Sequence, residues 1–148
     1  MPKFLKDIDL KGKVALVTGA TKGIGRSTVI AMHQVGASIV AIGRNKNELN
    51  SLKKKLKTRI QCIECDLNNY DKISNAINKL KKIDILVNNA GTNLPEPFLK
   101  VKKSSLEALL DINIKAAFNL AKLCTDKMLR LKNRKNIGGS IIHTSSMF

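Results

Sequence analysis

The sequence predicts an α/β fold in which helices cover both faces of a doubly wound parallel sheet. Three features predict it: strand patterns alternate with helix patterns, the strand runs are apolar throughout, and a glycine-rich turn follows the first strand. Strands that are covered on both faces read as continuous apolar runs, and parallel strands are joined by right-handed crossovers. We expect residues 1–148 to form one domain, since this length suits a single unit.

Three strand and helix pairs are predicted in the first half of the chain. Residues 13–18 form a continuous apolar run, and from Ile24 to Val35 the apolar residues return at helical spacing before Gly36 ends the helix. Asn45 is placed to cap the second helix. The further elements predicted here are strand 38–43, helix 45–57, strand 60–65 and helix 70–81.

The second half of the chain continues the alternation with longer connections. A fourth strand is predicted over residues 84–87, and a loop with two prolines leads to a long helix over residues 104–131. Gly138 and Gly139 then precede a fifth strand, residues 140–144. In such a sheet the ligand lies at the carboxyl ends of the strands, where the strand order reverses. We expect strands one and four to flank that point.

The turn after the first strand carries the chemistry of a phosphate site. Its glycines have separate tasks: Gly19 allows the sharp turn, Gly23 lets a phosphate approach the backbone, and Gly25 lets the helix pack close to the sheet. The helix that follows offers unpaired N–H groups and a partial positive charge. Placed between a buried strand and an amphipathic helix, the turn predicts a dinucleotide site.

The charge at the end of the second strand bears on the choice of dinucleotide. Arg44 stands where a carboxylate would accept a bond from a ribose 2′-hydroxyl, and Lys22 lies in the turn near the same corner. Because Arg grips a phosphate with two parallel bonds, this pair favours a 2′-phosphate and predicts NADP(H). The alternative is that Arg44 is an ordinary surface residue.

Composition argues against several other classes of protein. The net charge is +16, but the basic residues are mostly Lys and aromatic side chains are scarce, so no nucleic-acid partner is expected. Cys62 and Cys65 lie three apart in a predicted strand and point to opposite faces, so neither a disulfide nor a metal site is expected. No apolar run is long enough to span a membrane, and the start of the chain lacks a secretory signal pattern. The expected location is the cytoplasm.

Four ordered motifs resemble the short-chain dehydrogenase/reductase family along essentially the whole chain, and this resemblance implies a Rossmann-like fold. They are the turn of residues 18–25, the strand end Cys65-Asp66-Leu67, the signature of residues 88–91, and Asn113 with the strand end of residues 140–146. The resemblance implies that Gly19, Thr21, Lys22, Gly23, Ile24, Gly25 and Arg44 bind the cofactor together with Asp66, Leu67, Asn89, Ala90 and Gly91.

The same resemblance implies individual roles. Asp66 would accept a bond from the adenine amino group and the Leu67 N–H would bond the ring, while Asn89 would also tie the fourth strand to its neighbours. Asn113 would hold a water of the proton relay through its carbonyl at a helix distortion. Ser146 would bond the substrate carbonyl, and we favour it over the adjacent Ser145.

One part of the family pattern is missing from the chain. The family's proton donor is a Tyr with a Lys four residues later, beyond the catalytic Ser, whereas Tyr70 is the only Tyr here and is followed at that spacing by Ser74. We therefore expect a fragment truncated after the fifth strand, with negligible turnover. Its unpaired strand edge and an apolar helix face are expected to be exposed; that face is assigned to Leu109, Ala116, Ala117 and Leu120.

Smaller features refine the expected function. The sequence Gly23-Ile24-Gly25-Arg26, the corner at Arg44 and the segment Pro97-Phe98-Leu99 resemble the dicarbonyl and L-xylulose reductase branch. The expectation is an NADPH-dependent carbonyl oxidoreductase acting on a small carbonyl substrate, with a full-length form that is a homo-oligomer through the helix of residues 104–131. The alternative is a non-catalytic protein that binds nucleotide or a full-length relative.

Overall fold

The computed structural model describes residues 7–131 and 138–145, and these form a five-stranded parallel sheet flanked by helices. The strand order is β3-β2-β1-β4-β5, so the order reverses between β1 and β4. The strands are β1 (Val14–Thr18), β2 (Ser38–Gly43), β3 (Ile60–Glu64), β4 (Ile85–Asn88) and β5 (Ser140–His143). The predicted Rossmann-like fold class and the position of the reversal are confirmed.

Five α-helices in the described part of the chain alternate with these strands or follow them. They are α1 (Gly23–Gln34), α2 (Lys46–Leu56), α3 (Tyr70–Lys79), α4 (Lys103–Leu110) and α5 (Ala116–Leu129). The Asn45 side chain accepts a bond from the Glu48 N–H at 3.0 Å and begins α2, and Asn69 caps α3 in the same way. The third helix ends earlier than predicted, because Leu80 takes up an extended backbone conformation.

The two faces of the sheet hold separate apolar cores. On β1, Leu16 and Val17 are both fully buried, and they belong to opposite clusters. Val17 pairs in register with Ala41 on β2 and with Val87 on β4, so this strand has neighbours on both edges as well. A strand that is enclosed on every side explains the continuous apolar run in the sequence.

The predicted long helix is divided into two by a change of helical pitch. Residues 111–115 form a π-helical turn between α4 and α5, with Asn113 at its centre. The resemblance had led us to expect a distortion at this residue, and the structure shows one. A π turn accommodates one extra residue, which changes which side chains face the sheet after it.

This change of phase corrects the assignment of the exposed helix face. Ala116 and Leu120 are only 2% and 1% exposed, and they pack into the core with Cys124 and Met128. The prediction was wrong because it placed a continuous α-helical period across the π turn. The exposed apolar residues are instead spaced four apart and form what we call the outer stripe: Leu106, Leu110, Ile114 and Phe118, between 43% and 68% exposed.

The last strand is the most exposed part of the sheet. All four residues of β5 are exposed, including Ile141 and Ile142, although β5 is in register with β4 along its length. Among the residues that the structure describes, β5 pairs with β4 alone. None of the described helices is long and apolar enough to cross a membrane.

Candidate functional site

The carboxyl ends of β1 and β4 are joined by one buried hydroxyl. Thr18 Oγ1 accepts bonds from the N–H groups of Asn89 (3.0 Å) and Ala90 (2.9 Å), and it donates a longer bond of 3.4 Å to the Val87 carbonyl. The Asn89 amide in turn donates to the Thr18 carbonyl at 3.1 Å. Residues 18–25 and 88–91, which we call the rim, are therefore held together across the reversal point. The expected tie between Asn89 and the neighbouring strand is present.

Close packing at the rim explains two of the three glycines. Gly19 has a φ of +61°, and a Cβ on it would lie 2.9 Å from the Asn89 amide nitrogen. A Cβ on Gly25 would lie 2.3 Å from the Gly19 carbonyl oxygen and 2.5 Å from the same amide nitrogen. No side chain fits at either position without moving the backbone of the turn. The structure therefore brings Gly19, Gly25, Asn89 and Ala90 into one contact group.

The third glycine lies beside open space at the start of α1. A Cβ on Gly23 would meet no atom within 4 Å, and its φ of +55° is one that side chains rarely adopt. The N–H groups of residues 23–25 donate no hydrogen bond within the described part of the chain, whereas the Arg26 N–H already bonds the Lys22 carbonyl. Free N–H donors at a helix N-terminus with room in front of them fit a pyrophosphate group.

The corner beside this turn carries the positive charge. Thr21 packs against Gly43, where a Cβ would lie 2.6 Å from the Thr21 methyl carbon, so the turn touches the end of β2. Arg44 follows directly, is exposed, and forms no hydrogen bond or ion pair with the described residues. Lys22 and Ile24 are exposed on the same turn. The structure thus places the turn and the cation that follows β2 side by side.

The predicted adenine-binding residues continue this edge of the sheet. The Cys65 N–H bonds the Gly43 carbonyl at 3.0 Å, which joins the end of β3 to the end of β2. Asp66 is exposed and uses one carboxylate oxygen to accept the Asn68 N–H at 3.0 Å. Leu67 is 8% exposed, and its N–H donates no bond within the described residues. One Asp66 carboxylate oxygen and the Leu67 N–H thus form no hydrogen bond within the described residues.

The π turn reaches the rim through Asn113. Its side-chain oxygen accepts the Thr92 N–H at 2.9 Å, and its side-chain nitrogen donates to the Thr92 carbonyl at 3.0 Å. A Cβ on Gly91 would lie 3.0 Å from the same Asn113 oxygen. The segment after β4 is therefore clamped to the π turn, and Gly91 and Asn113 are in contact.

A second buried amide lies on the side of β5. Asn88 is 5% exposed and donates to the Ala117 carbonyl at 3.0 Å, while its nitrogen lies 3.4 Å from His143 Nδ1. Its side-chain oxygen has no hydrogen-bond partner among the residues that the structure describes. Pairing of β5 with β4 continues to the Thr144 N–H, which bonds the Asn88 carbonyl. Ser146, the predicted catalytic Ser, lies outside the described residues.

Comparison with known proteins agrees with this geometry. The family described as short chain dehydrogenase matches residues 13–148. The chain belongs to the short-chain dehydrogenase family. It is 34% identical over 140 residues to an L-xylulose reductase of Mus musculus and 37% identical to a 3-oxoacyl-(acyl-carrier-protein) reductase of Rickettsia felis. These matches cover 95% of this chain but 55% and 56% of the two relatives.

Solved structures give the same result. A short-chain type dehydrogenase/reductase from Mycobacterium marinum superposes with a TM-score of 0.84 at 29% identity, covering 94% of this chain and 57% of that one. The chain thus spans about half the length of the short-chain dehydrogenases that it matches. The short-chain dehydrogenases are a family of oxidoreductases that bind a nicotinamide dinucleotide.

Some residues that build the site were not assigned a role from the sequence. Thr18 and Asn88 each end an apolar strand, and a polar side chain buried at that position needs partners. The sequence therefore indicated that these side chains need hydrogen-bond partners. It did not indicate which residues those partners are, because Thr18 and Asn89 are 71 positions apart in the chain. Thr92 has no pattern of its own and contributes only its backbone.

The cysteines and a groove at the opposite edge of the sheet stand apart from the site. Cys62 and Cys65 are free thiols that pack in clusters on opposite faces of the sheet, and burial raises the pKa of both. Burial raises the pKa of Cys124 to about 12, which disfavours the reactive thiolate.

A groove of about 410 Å³ lies at the amino end of the sheet and is lined in part by Val14, Ser38 and Leu80. Within the described ranges no group of acidic, His or Cys side chains is arranged to hold a metal ion.

Proposed function

We propose that the chain is the dinucleotide-binding part of an NADPH-dependent carbonyl oxidoreductase, which transfers hydride between NADP(H) and a carbonyl or alcohol such as a dicarbonyl or ketose. One observation carries this proposal. Free N–H groups at the start of α1 lie beside open space at Gly23, next to a corner where Arg44 takes the place of a carboxylate. When it is bound, the nicotinamide supplies the hydride.

Each part of the cofactor has residues to hold it in this proposal. The backbone of Gly23, Ile24 and their neighbours would bind the pyrophosphate, and Arg44 with Lys22 would bind the 2′-phosphate. Asp66 and Leu67 would hold the adenine, and residues 89–91 would line the ribose. Similarity to an L-xylulose reductase supports a small sugar-like or dicarbonyl substrate.

The chemical step needs groups on the side of β5. Ser146 would bond the substrate carbonyl, and Asn113 would hold a water of the proton relay through its carbonyl. A positioned acid typically contributes about 10²–10⁴-fold to a step that develops an alkoxide. These 148 residues contain no Tyr with a Lys four positions later, so cofactor binding rather than turnover is the appropriate measurement for this chain.

The test compares NADPH with NADH by titration calorimetry at low salt. We expect the chain to bind NADPH more tightly, and Arg44→Asp to weaken NADPH by about tenfold or more while NADH changes little, because a charge-assisted phosphate bond is lost. Lys54→Asp is the matched control, since it makes the same charge change on an exposed residue in the last turn of α2. Equal affinities for the two dinucleotides, or equal effects of the two variants, would refute the NADP assignment.

The outer stripe supports a second candidate function, binding to another subunit. Its four large apolar side chains are exposed along α4, the π turn and α5, which is typical of a surface that another protein covers. We propose that the full-length form is a homo-oligomer through this helix. Analytical ultracentrifugation of the chain and of a Phe118→Gln variant tests it: association that the variant weakens is expected, and a monodisperse wild-type monomer would contradict it.

A further inference from the structure

Arg26 connects the glycine-rich turn to the second helix. It lies in the first turn of α1, and its side chain is 23% exposed. One guanidinium nitrogen is 3.4 Å from the Thr21 carbonyl oxygen and 3.4 Å from the Glu48 carbonyl oxygen, and the other donates to Ser51 Oγ at 3.1 Å. A single side chain therefore bridges the turn and the first half of α2.

The same guanidinium also faces an acid. Glu48 Oε2 lies 3.7 Å from the nitrogen that bonds the turn, and the Glu48 backbone N–H donates to the side chain of the cap residue Asn45. Arg44 immediately precedes that cap residue. Glu48 is therefore an acidic residue four positions after the cation that we assign to the 2′-phosphate.

An unpaired carboxylate at this corner would work against a phosphate. A carboxylate without a cationic partner repels a phosphate over a distance of several ångströms. A cation close to the carboxylate reduces this repulsion, because the electrostatic potentials of the two opposite charges largely cancel. With Arg26 beside it, the charge of Glu48 is compensated. Lys22 and Arg44 then act on the ligand without opposition from the start of α2.

We propose that Arg26 is a positioning residue that sets the preference for NADPH over NADH. It holds the turn at Thr21 against α2, and it compensates Glu48 so that the corner at Arg44 keeps its positive field. This inference rests on the proposed NADP(H) function and adds a residue that does not touch the nicotinamide. The proposed role changes the ratio of the NADPH affinity to the NADH affinity. A side chain that only bridged the two helices would leave this ratio unchanged.

The experiment measures NADPH and NADH affinities of the 148-residue chain by calorimetry in four forms. These are the wild type, Arg26→Gln, Glu48→Gln and the double variant. Exposed or half-exposed ion pairs change an equilibrium by a factor of about two to five, so we expect Arg26→Gln to lower the NADPH preference about threefold. Glu48→Gln should raise the preference by a similar factor, because Arg26 then adds its own charge to the corner. In the double variant the preference should return to within about twofold of the wild type.

Two further comparisons make the result decisive. Arg26→Lys keeps the charge and loses the bridge, so it should retain the NADPH preference even where both affinities fall. If Arg26→Gln does not fold by circular dichroism, the increase expected for Glu48→Gln still tests the proposal. An unchanged ratio in Glu48→Gln, or equal losses for both dinucleotides in Arg26→Gln, would overturn it. Failure of the wild type to prefer NADPH would instead overturn the proposed cofactor, and this inference with it.

Discussion

The rim and the outer stripe show opposite relations between polarity and burial. At the rim, the polar side chains of Thr18 and Asn89 are buried or half-buried and bonded to the backbone across the strand reversal. On the outer stripe, large apolar side chains such as Ile114 and Phe118 are 60% and 68% exposed. The Thr18 and Asn89 side chains of the rim thus have their partners within the described residues, whereas the outer stripe has apolar surface that no described residue covers.

The physical costs of the two arrangements explain this difference. A buried polar group without a partner costs about 1–3 kcal/mol, so the bonds of Thr18 and Asn89 avoid a cost that would destabilise the rim. Exposed apolar surface costs about 25 cal/mol for each Å², a cost that a partner surface removes on binding. The rim is therefore an internal feature of the fold, whereas the outer stripe is the surface that we propose for contact with another subunit. Three predictions test this difference.

The largest expected effect compares two residues on α5 that are two positions apart. Leu120→Ala removes a side chain that is 1% exposed, and we expect it to lower the free energy of unfolding by about 2–5 kcal/mol. Phe118→Ala, on the outer stripe, should change it by no more than about 0.5 kcal/mol. Urea unfolding measures both. When unfolding is measured at a protein concentration where the chain is monomeric, similar losses for the two variants would mean that Phe118 is packed within the monomer.

A smaller effect is expected at the rim. Thr18→Val keeps the shape of the side chain but leaves the N–H groups of Asn89 and Ala90 without their acceptor, and we expect a loss of about 1–3 kcal/mol together with weaker dinucleotide binding. Thr18→Ser restores the hydroxyl and should recover most of both quantities. If the Ser and Val variants behave alike in urea unfolding, the hydroxyl does not hold the rim.

The smallest effect is a pH dependence on the inner side of α5. Burial raises the pKa of Cys124 to about 12, above its ordinary value of 9.0, so the folded chain keeps a proton that the unfolded chain loses. Stability from this group is therefore fully present below pH 9 and is lost as the pH rises from 9 toward 12. Between pH 8 and pH 10, the wild type should lose about 1 kcal/mol more than Cys124→Ala.

This pH prediction is checked by urea unfolding of both chains at the two pH values. The alanine variant serves as the control, because every other titrating group is shared between the two chains. Parallel pH dependences would show that the Cys124 thiol is reached by solvent, and the inner side of α5 would then resemble the outer stripe more than the core.

Local sequence patterns predicted much of the fold, because helix caps and tight turns depend on residues that are close together in the sequence. Asn45 was correctly placed as a helix cap, since capping depends on a residue and the backbone three positions later. The glycines of the turn were also predicted, and Gly19 and Gly25 prove to lie where a Cβ would clash. The prediction of the exposed face of the long helix was wrong. The π turn at Asn113, which is bonded to Thr92, changes which side chains face the sheet after it.

By itself, the amino-acid sequence determined the alternation of strands and helices, the site at the strand reversal and the family to which its motifs belong. These follow from side-chain periodicity and from glycine, whose effects act over a few residues. Only the tertiary structure decided which hydroxyl joins β1 to β4, which side of α5 is buried, and which cation compensates Glu48. Those features depend on contacts between residues far apart in the chain, and side-chain periodicity does not predict such contacts.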